Sequence, residues 1–495
     1  MNGNQLNTFI LSQTASLSDA MHVFDATGLQ IVLICSADGK FEGLATEGDV
    51  RRALLAGYGL ISPISPHMNT SPSVGRTHMP REELVALLSN RVHYLPVLDE
   101  QDNLRDVLFY DQRSMIPIAS PTIGELELRY ITDAVLSGWI SSQGKYINQF
   151  EEKFASFCGT KYAVSVSNGT VALHIALTAL GIGPGDEVIV PALTFVATAN
   201  VVRHCHAEPV FVDVSRGNWN IDPDLIEAAI TPHTKAIIPV HLYGQPCDMD
   251  RIMSIAARHN LWIVEDAAEA HGAIYGGQCV GAIGNMGCFS FYGNKIITTG
   301  EGGMVVTNDP VLNEKLRLLR DHGMSRTRRY WHDVVGFNYR MTNLQAAIGV
   351  AQLERWDQII AAKERIQNWY DTQIDHNHFE TARPLPKSRA VCWLYTLMLK
   401  VGVDEKMRDI LLEKLKSLNI DCRPVFYPIP AMPPYFSDNW EQSYPVTSWI
   451  SNRGFSLPSS VEMVENDLKR TVTQLNELIS KMNNNINMKS IEVGS

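Results

Sequence analysis

The chain has 495 residues, 45% of them hydrophobic and 19% charged, with a formal net charge of −11. That length predicts two or three domains, and the acidic balance argues against a nucleic-acid binder, which usually carries a basic face. No apolar run approaches the ~20 residues of a membrane span, and the eight scattered cysteines (35, 158, 205, 247, 279, 288, 392 and 422) have no C-x-x-C or paired metal spacing, so reduced thiols in a cytosol are expected.

The N-terminus, M-N-G-N-Q-L-N-T, lacks a basic stretch followed by an apolar core, so no signal peptide is expected. The run I-V-L-I-C-S-A-D-G-K-F-E-G-L-A-T-E-G-D-V-R-R-A-L-L (31–55) reads as strand, D-G turn, strand and helix. A weaker copy, L-P-V-L-D-E-Q-D-N-L-R-D-V-L-F-Y-D-Q, follows at 95–112. This repeat resembles a pair of CBS domains, in which a T-x-x-D at the strand-to-helix junction holds a nucleotide ribose. Thr46 and Asp49 fit that pattern. Aligning Phe41 with Leu104 puts Phe109 and Gln112 at the matching places of the second copy, a departure that leaves at most one expected nucleotide site. The plain alternative for Asp49 is a helix-capping role. Residues 1–118 are therefore expected to form a CBS-like regulatory module.

A proline-bounded linker, I-P-I-A-S-P-T (116–122), precedes a helical pattern ending at Gly138 and a loop from Trp139 to Gly144. Ser167-Asn168-Gly169-Thr170 opens a further helix. Its unpaired N–H groups and positive dipole end suit a phosphate, although a simple N-cap would read the same. Buried strands at 187–190, 209–214 and 236–244 alternate with helix-like runs at 223–230 and 248–259. This alternation predicts a mostly parallel, doubly wound sheet.

Leu261 to Val264, a fully apolar strand, ends in Glu265-Asp266-Ala267-Ala268-Glu269-Ala270-His271-Gly272. Acidic residues at the carboxyl end of such a strand lie where open α/β sheets bind ligands. About thirty residues on, Lys295 stands between Cys288–Phe291 and a turn carrying Gly300, Gly302 and Gly303. Aromatic and small neighbours should desolvate this lysine and lower its pKa, leaving an amine able to form a Schiff base. Asp266 is then placed to pair with a protonated pyridine nitrogen, although taken alone it would read as a helix N-cap after the strand. Further on, R-D-H-G-M-S-R-T-R-R-Y-W-H (320–332) is either a solvated basic loop or a diphosphate cradle. A long helical run (350–376) leads to a smaller C-terminal region with a strand at 393–401, a helix at 407–416, a proline loop at 421–430 and a polar tail expected to fray.

Six ordered runs carry a wider likeness: G-W-I-S-S-Q-G-K-Y-I (138–147), S-N-G-T-V-A-L-H (167–174), P-A-L-T-F-V-A-T-A-N (191–200), E-D-A-A-E-A-H-G (265–272), F-S-F-Y-G-N-K-I-I-T-T-G-E-G-G-M (289–304) and G-F-N-Y-R-M-T-N-L-Q-A-A-I-G (336–349). Over about 121–481 the chain resembles the DegT-type nucleotide-sugar aminotransferases, pyridoxal 5'-phosphate (PLP) enzymes of the aspartate-aminotransferase fold. The resemblance implies an α/β fold type I transferase, with a large domain (119–365), a small C-terminal α/β domain (366–485) and a tail (486–495).

The same likeness implies Lys295 as the catalytic lysine. It implies Gly169, Thr170, Phe195, Asp266, Glu269, Ser290 and Asn338 as cofactor ligands, Asn338 reaching in from a second subunit of a homodimer or larger assembly. Trp139, Ser141, Arg329, His332 and Arg340 are implied near the sugar or the amino donor. The implied reaction moves an amino group from L-glutamate to the C4 ketone of a nucleotide-linked 4-keto-6-deoxy sugar. GDP-4-keto-6-deoxymannose is expected ahead of UDP- or dTDP-linked keto sugars or a C3 ketone. A dehydratase branch of the family carries histidine where Lys295 stands, so Lys295 favours transamination. A PLP-dependent regulator is the alternative of another class, but residues 1–118 show no basic recognition helix.

Overall fold

The computed structural model describes residues 6–27, 29–80, 83–84, 87–88, 92–109, 115–325, 327–400 and 405–492. Gln112, and Arg326 of the basic run 320–332, lie outside them. The chain forms two compact units, Met1–Ile116 with Lys416–Asn419, and Pro117–Leu415 with Ile420–Ser495. Among the described residues no helix is long and apolar enough to cross a membrane.

The first unit holds two three-stranded sheets of one pattern. In the first, β1 (Ile10–Ser12) runs parallel to β2 (Ile31–Cys35), which pairs antiparallel with β3 (Phe41–Thr46). In the second, β4 (Gly75–Arg76) runs parallel to β5 (Tyr94–Leu98), which pairs antiparallel with β6 (Leu104–Phe109). The ladders pair Ile31 with Thr46 and Tyr94 with Phe109, so these residues hold matching places. Thr46 caps the helix Glu47–Leu55 in a capping box. Its N–H and hydroxyl both donate to Asp49, at 2.8 and 2.7 Å.

The second unit is built on seven strands in the order β7 (Tyr162–Val166), β13 (Gly303–Thr307), β12 (Met286–Ser290), β11 (Trp262–Asp266), β10 (Thr234–Ile237), β8 (Glu187–Pro191) and β9 (Glu208–Val212). All neighbours pair in parallel except β13, which runs antiparallel to both β7 and β12. Central strands are buried on both faces, which is why they read as unbroken apolar runs. In β12, Phe289 joins one core cluster and Cys288 the opposite one, as the two-residue period requires. Phe289 packs 5.0 Å from Phe154, and Phe291 packs 5.0 Å from Phe150, both on the helix Lys145–Cys158.

Three elements differ from the sequence reading. The run 236–244 is a strand only to Ile237. Leu242–Gly244 forms a single 3-10 turn, interrupted by Tyr243 with a left-handed φ of 51°. The helical stretch expected at 350–376 is two helices, Asn343–Glu354 and Trp356–Gln373, meeting at Arg355. The expected tail is taken up to Glu492 by the helix Glu465–Glu492, whose sequence has no glycine or proline to stop it. A second, four-stranded antiparallel sheet combines Tyr395–Leu399 and Gly454–Leu457 with the two-residue strands Phe379–Glu380 and Arg423–Pro424.

Candidate active site

A cavity of about 850 Å³ opens where the carboxyl ends of the central strands meet the helix Gly169–Leu180. Asp266 is the last residue of β11, and the parallel pairing with β12 brings it level with Cys288. Two residues beyond Cys288 the strand ends at Ser290, and a turn carries Lys295 back over the same opening, its N–H donating to the Tyr292 carbonyl at 2.9 Å. Strand order thus converts two separate motifs into one site.

Lys295 Nζ lies 3.7 Å from Glu269 Oε1 and 3.8 Å from the centre of the Trp393 ring. Burial pushes the Lys295 ammonium below its ordinary pKa, opposed by the Glu269 and Asp266 carboxylates. Burial pushes Glu269 up to about 7, opposed chiefly by Lys295, and raises Asp266 as well. Burial thus works against the charged form of both partners, while their mutual attraction works for it. The Tyr243 N–H donates to Glu269 Oε2 at 2.8 Å. Tyr243 holds its left-handed backbone while its ring stacks on Trp393 (5.8 Å) and Phe426 (5.3 Å). A bulky residue in that conformation is costly, and its strain is spent at the site.

The other end of the cavity is a cradle. Asn168 caps the helix, its Oδ1 accepting the Val171 N–H at 2.9 Å, while the N–H groups of the first turn have no partner within the helix. A Cβ on Gly169 would sit 2.6 Å from the Ser290 Cβ, and one on Gly303 would sit 2.3 Å from the Asn168 carbonyl oxygen. Only glycine permits this approach of helix start and strand ends.

Seven of the eight residues expected around a cofactor line this one cavity: Gly169, Thr170, Phe195, Asp266, Glu269, Ser290 and Lys295. The eighth, Asn338, does not. Phe337 and Tyr339 stack on each other at 4.6 Å, Tyr339 lines the cavity, and Asn338 between them is exposed. None of the five residues expected near the substrate lines the cavity of the single chain. Trp139 and Ser141 accept hydrogen bonds from Asn343, through their carbonyl oxygens, at 2.7 and 2.6 Å. Arg329 stacks on Tyr330, His332 bonds the His322 carbonyl oxygen at 2.9 Å, and Arg340 pairs with Asp321. Arg320, from the same basic stretch, is committed to buried Glu151. Sequence reasoning missed Thr198, Tyr243 and Trp393. Nothing in their local sequence marks them, because their meaning lies in contacts with residues 26 to 98 positions away.

Residues 121–476 match the family model of the DegT/DnrJ/EryC1/StrS aminotransferases. The chain belongs to this family. GDP-perosamine synthase of Caulobacter vibrioides is 48% identical over 366 residues, 74% of this chain and 98% of the relative. GDP-perosamine synthase of Escherichia coli O157:H7 is 43% identical over 74% of this chain and 99% of its own. Among solved structures, the PLP form of a Streptococcus pneumoniae protein described as a sugar aminotransferase has a TM-score of 0.71 at 28% identity, over 74% of this chain and 99% of that one.

For this DegT/DnrJ/EryC1/StrS aminotransferase the cofactor is PLP, and the residues present fit it. The glycines let the start of the helix close against Ser290 at the cavity, Asp266 supplies a buried acid, and Lys295 supplies an amine of lowered pKa.

Proposed function

We propose that the chain moves the amino group of L-glutamate to C4 of GDP-4-keto-6-deoxy-D-mannose, giving GDP-perosamine. The observation that carries this reading is the placement of Lys295, Glu269 and Asp266 in one cavity of a chain 48% identical to a GDP-perosamine synthase. Bound PLP supplies the electron sink that lets a proton leave the donor's α-carbon.

The protein's own residues do the rest. The N–H groups of Gly169 and Thr170, with the Ser290 hydroxyl, would hold the phosphate at the helix N-terminus. Phe195 would cover the ring, and Asp266 would hold the proton on the ring nitrogen. Lys295 Nζ takes a proton from glutamate Cα in the first half-reaction and gives one to sugar C4 in the second. Glu269, close to seven in pKa, balances charge as Lys295 gains and loses protons. Two successive half-reactions at one site require ping-pong kinetics.

The site is completed by a second copy of the chain, whose Asn338 reaches the phosphate and whose Trp139, Ser141, Arg329, His332 and Arg340 approach the substrate. Support comes from the absence of these six residues from the cavity lining of the single chain, and from the exposure of all but the half-buried Arg340. Residues 1–118 act as a CBS-like module preceding the transferase domains (119–365 and 366–485) in the chain, with Thr46 and Asp49 facing a nucleotide ribose. The paired three-stranded sheets support that likeness. Calorimetric titration of the full chain with adenine and guanine nucleotides checks it: binding that is lost in Asp49→Ala is expected, and equal binding by both proteins contradicts the assignment.

The substrate reading is tested by offering purified protein L-glutamate with the GDP-, UDP- and dTDP-linked 4-keto-6-deoxy sugars in turn. The GDP-linked ketone should be converted to an amino sugar with the highest kcat/KM. Preference for either other nucleotide contradicts the assignment.

A further inference from the structure

Thr198 stands on the second residue of the helix Ala197–His204, is 1% exposed, and was assigned no role above. Its hydroxyl donates to Asp266 Oδ2 at 2.8 Å, while Oδ1 of the same carboxylate accepts the Ala268 N–H at 3.2 Å. Each oxygen of Asp266 thus has one fixed partner, and neither partner is charged. Phe195 lies one turn earlier, its carbonyl accepting the Thr198 N–H at 3.3 Å. A single turn of chain therefore carries both the aromatic ring lining the cavity and the hydroxyl that grips the acid on its floor.

The geometry points to Thr198 as a positioning residue for the cofactor: it orients the Asp266 carboxylate toward the ring nitrogen and keeps it ionised. This rests on the reading of Asp266 as the acid that meets that nitrogen. A hydrogen bond donated to a carboxylate favours its charged form, whereas burial without one favours the neutral acid. Asp266 is also faced by Lys295, His241, Glu269, Cys247 and Cys288. These are unchanged when only the hydroxyl is removed, so their effects cancel in a ratio between variant and parent.

Thr198→Val replaces the hydroxyl by a methyl group of like size. The test is the affinity of the cofactor-free full-length protein for PLP, followed by quenching of tryptophan fluorescence from about pH 8.5 to about pH 6.5. Loss of one hydrogen bond to a charged group predicts about tenfold weaker binding for Thr198→Val at the high end. Without the hydroxyl, Asp266 takes up its proton at higher pH, so the ratio of variant to parent Kd should grow as pH falls. Thr198→Ser should restore both the affinity and the flat ratio.

A constant ratio across the range, or no weakening at all, overturns the inference, since a packing role would not depend on pH. Asp266→Asn separates the two levels. If it binds PLP as tightly as the parent, the reading of Asp266 itself fails. If it binds weakly while Thr198→Val does not, only the role of Thr198 fails.

Discussion

Lys295 and Glu269 face each other across 3.7 Å, both largely shut off from water, and each changes the proton affinity of the other. In the folded, cofactor-free protein Glu269 titrates at about 7 rather than its ordinary 4.5. Between those values the folded chain binds a proton that the unfolded chain has released. Stability contributed by this group therefore falls as pH rises from about 5 to about 7. Asp266, also raised, acts with the same sign, and Lys295, lowered, acts with the opposite sign at higher pH. Glu269→Gln should flatten, without abolishing, the decline in thermal midpoint over that window. An unchanged slope would mean that Glu269 is ionised throughout. Lys295 and Glu269 were each legible in the sequence, as members of short motifs at strand ends, but their contact was not. Tyr243 was not legible, since its ring stacks on Trp393 and Phe426, far off in the chain.

At the scale of elements, the start of the helix Gly169–Leu180 and the end of β12 are pressed together until only glycine fits between them. Gly169→Ala should push the helix start away from Ser290 and weaken PLP binding by about tenfold to a hundredfold, the worth of one hydrogen bond to a charged group. Equilibrium dialysis of the cofactor measures this, and unaltered affinity would remove Gly169 from the cradle. A second junction is electrostatic. Glu151, on the helix Lys145–Cys158, accepts from Arg317 at 2.8 Å, from the Ser165 N–H at 2.9 Å and from the Ser165 hydroxyl at 2.8 Å, and also pairs with Arg320. Removing one member of a buried ion-pair cluster strands the others. Glu151→Ala should therefore cost about 3–5 kcal/mol in urea unfolding. Alternation of strands and helices foretold the parallel sheet, but Arg320 read as part of a basic loop. Its burial depends on a carboxylate 169 residues earlier, which no local pattern reports.

For the whole molecule, the proposed second copy gives a strict expectation. If Lys295 and Asn338 of one site come from different chains, Lys295→Ala and Asn338→Ala proteins, each nearly inactive alone, should complement when refolded together. Random pairing leaves one intact site in each mixed dimer, so about a quarter of parental activity should return. No recovery would place both residues in the same chain's site.

The most direct test of the account is the visible absorption spectrum of the purified protein with PLP, before and after L-glutamate, for the parent and Lys295→Ala. The account predicts a visible band in the parent that depends on Lys295 and is bleached by glutamate, with 2-oxoglutarate formed in equal amount. A parent protein that binds PLP with the same spectrum as Lys295→Ala, and that glutamate leaves unchanged, would contradict it.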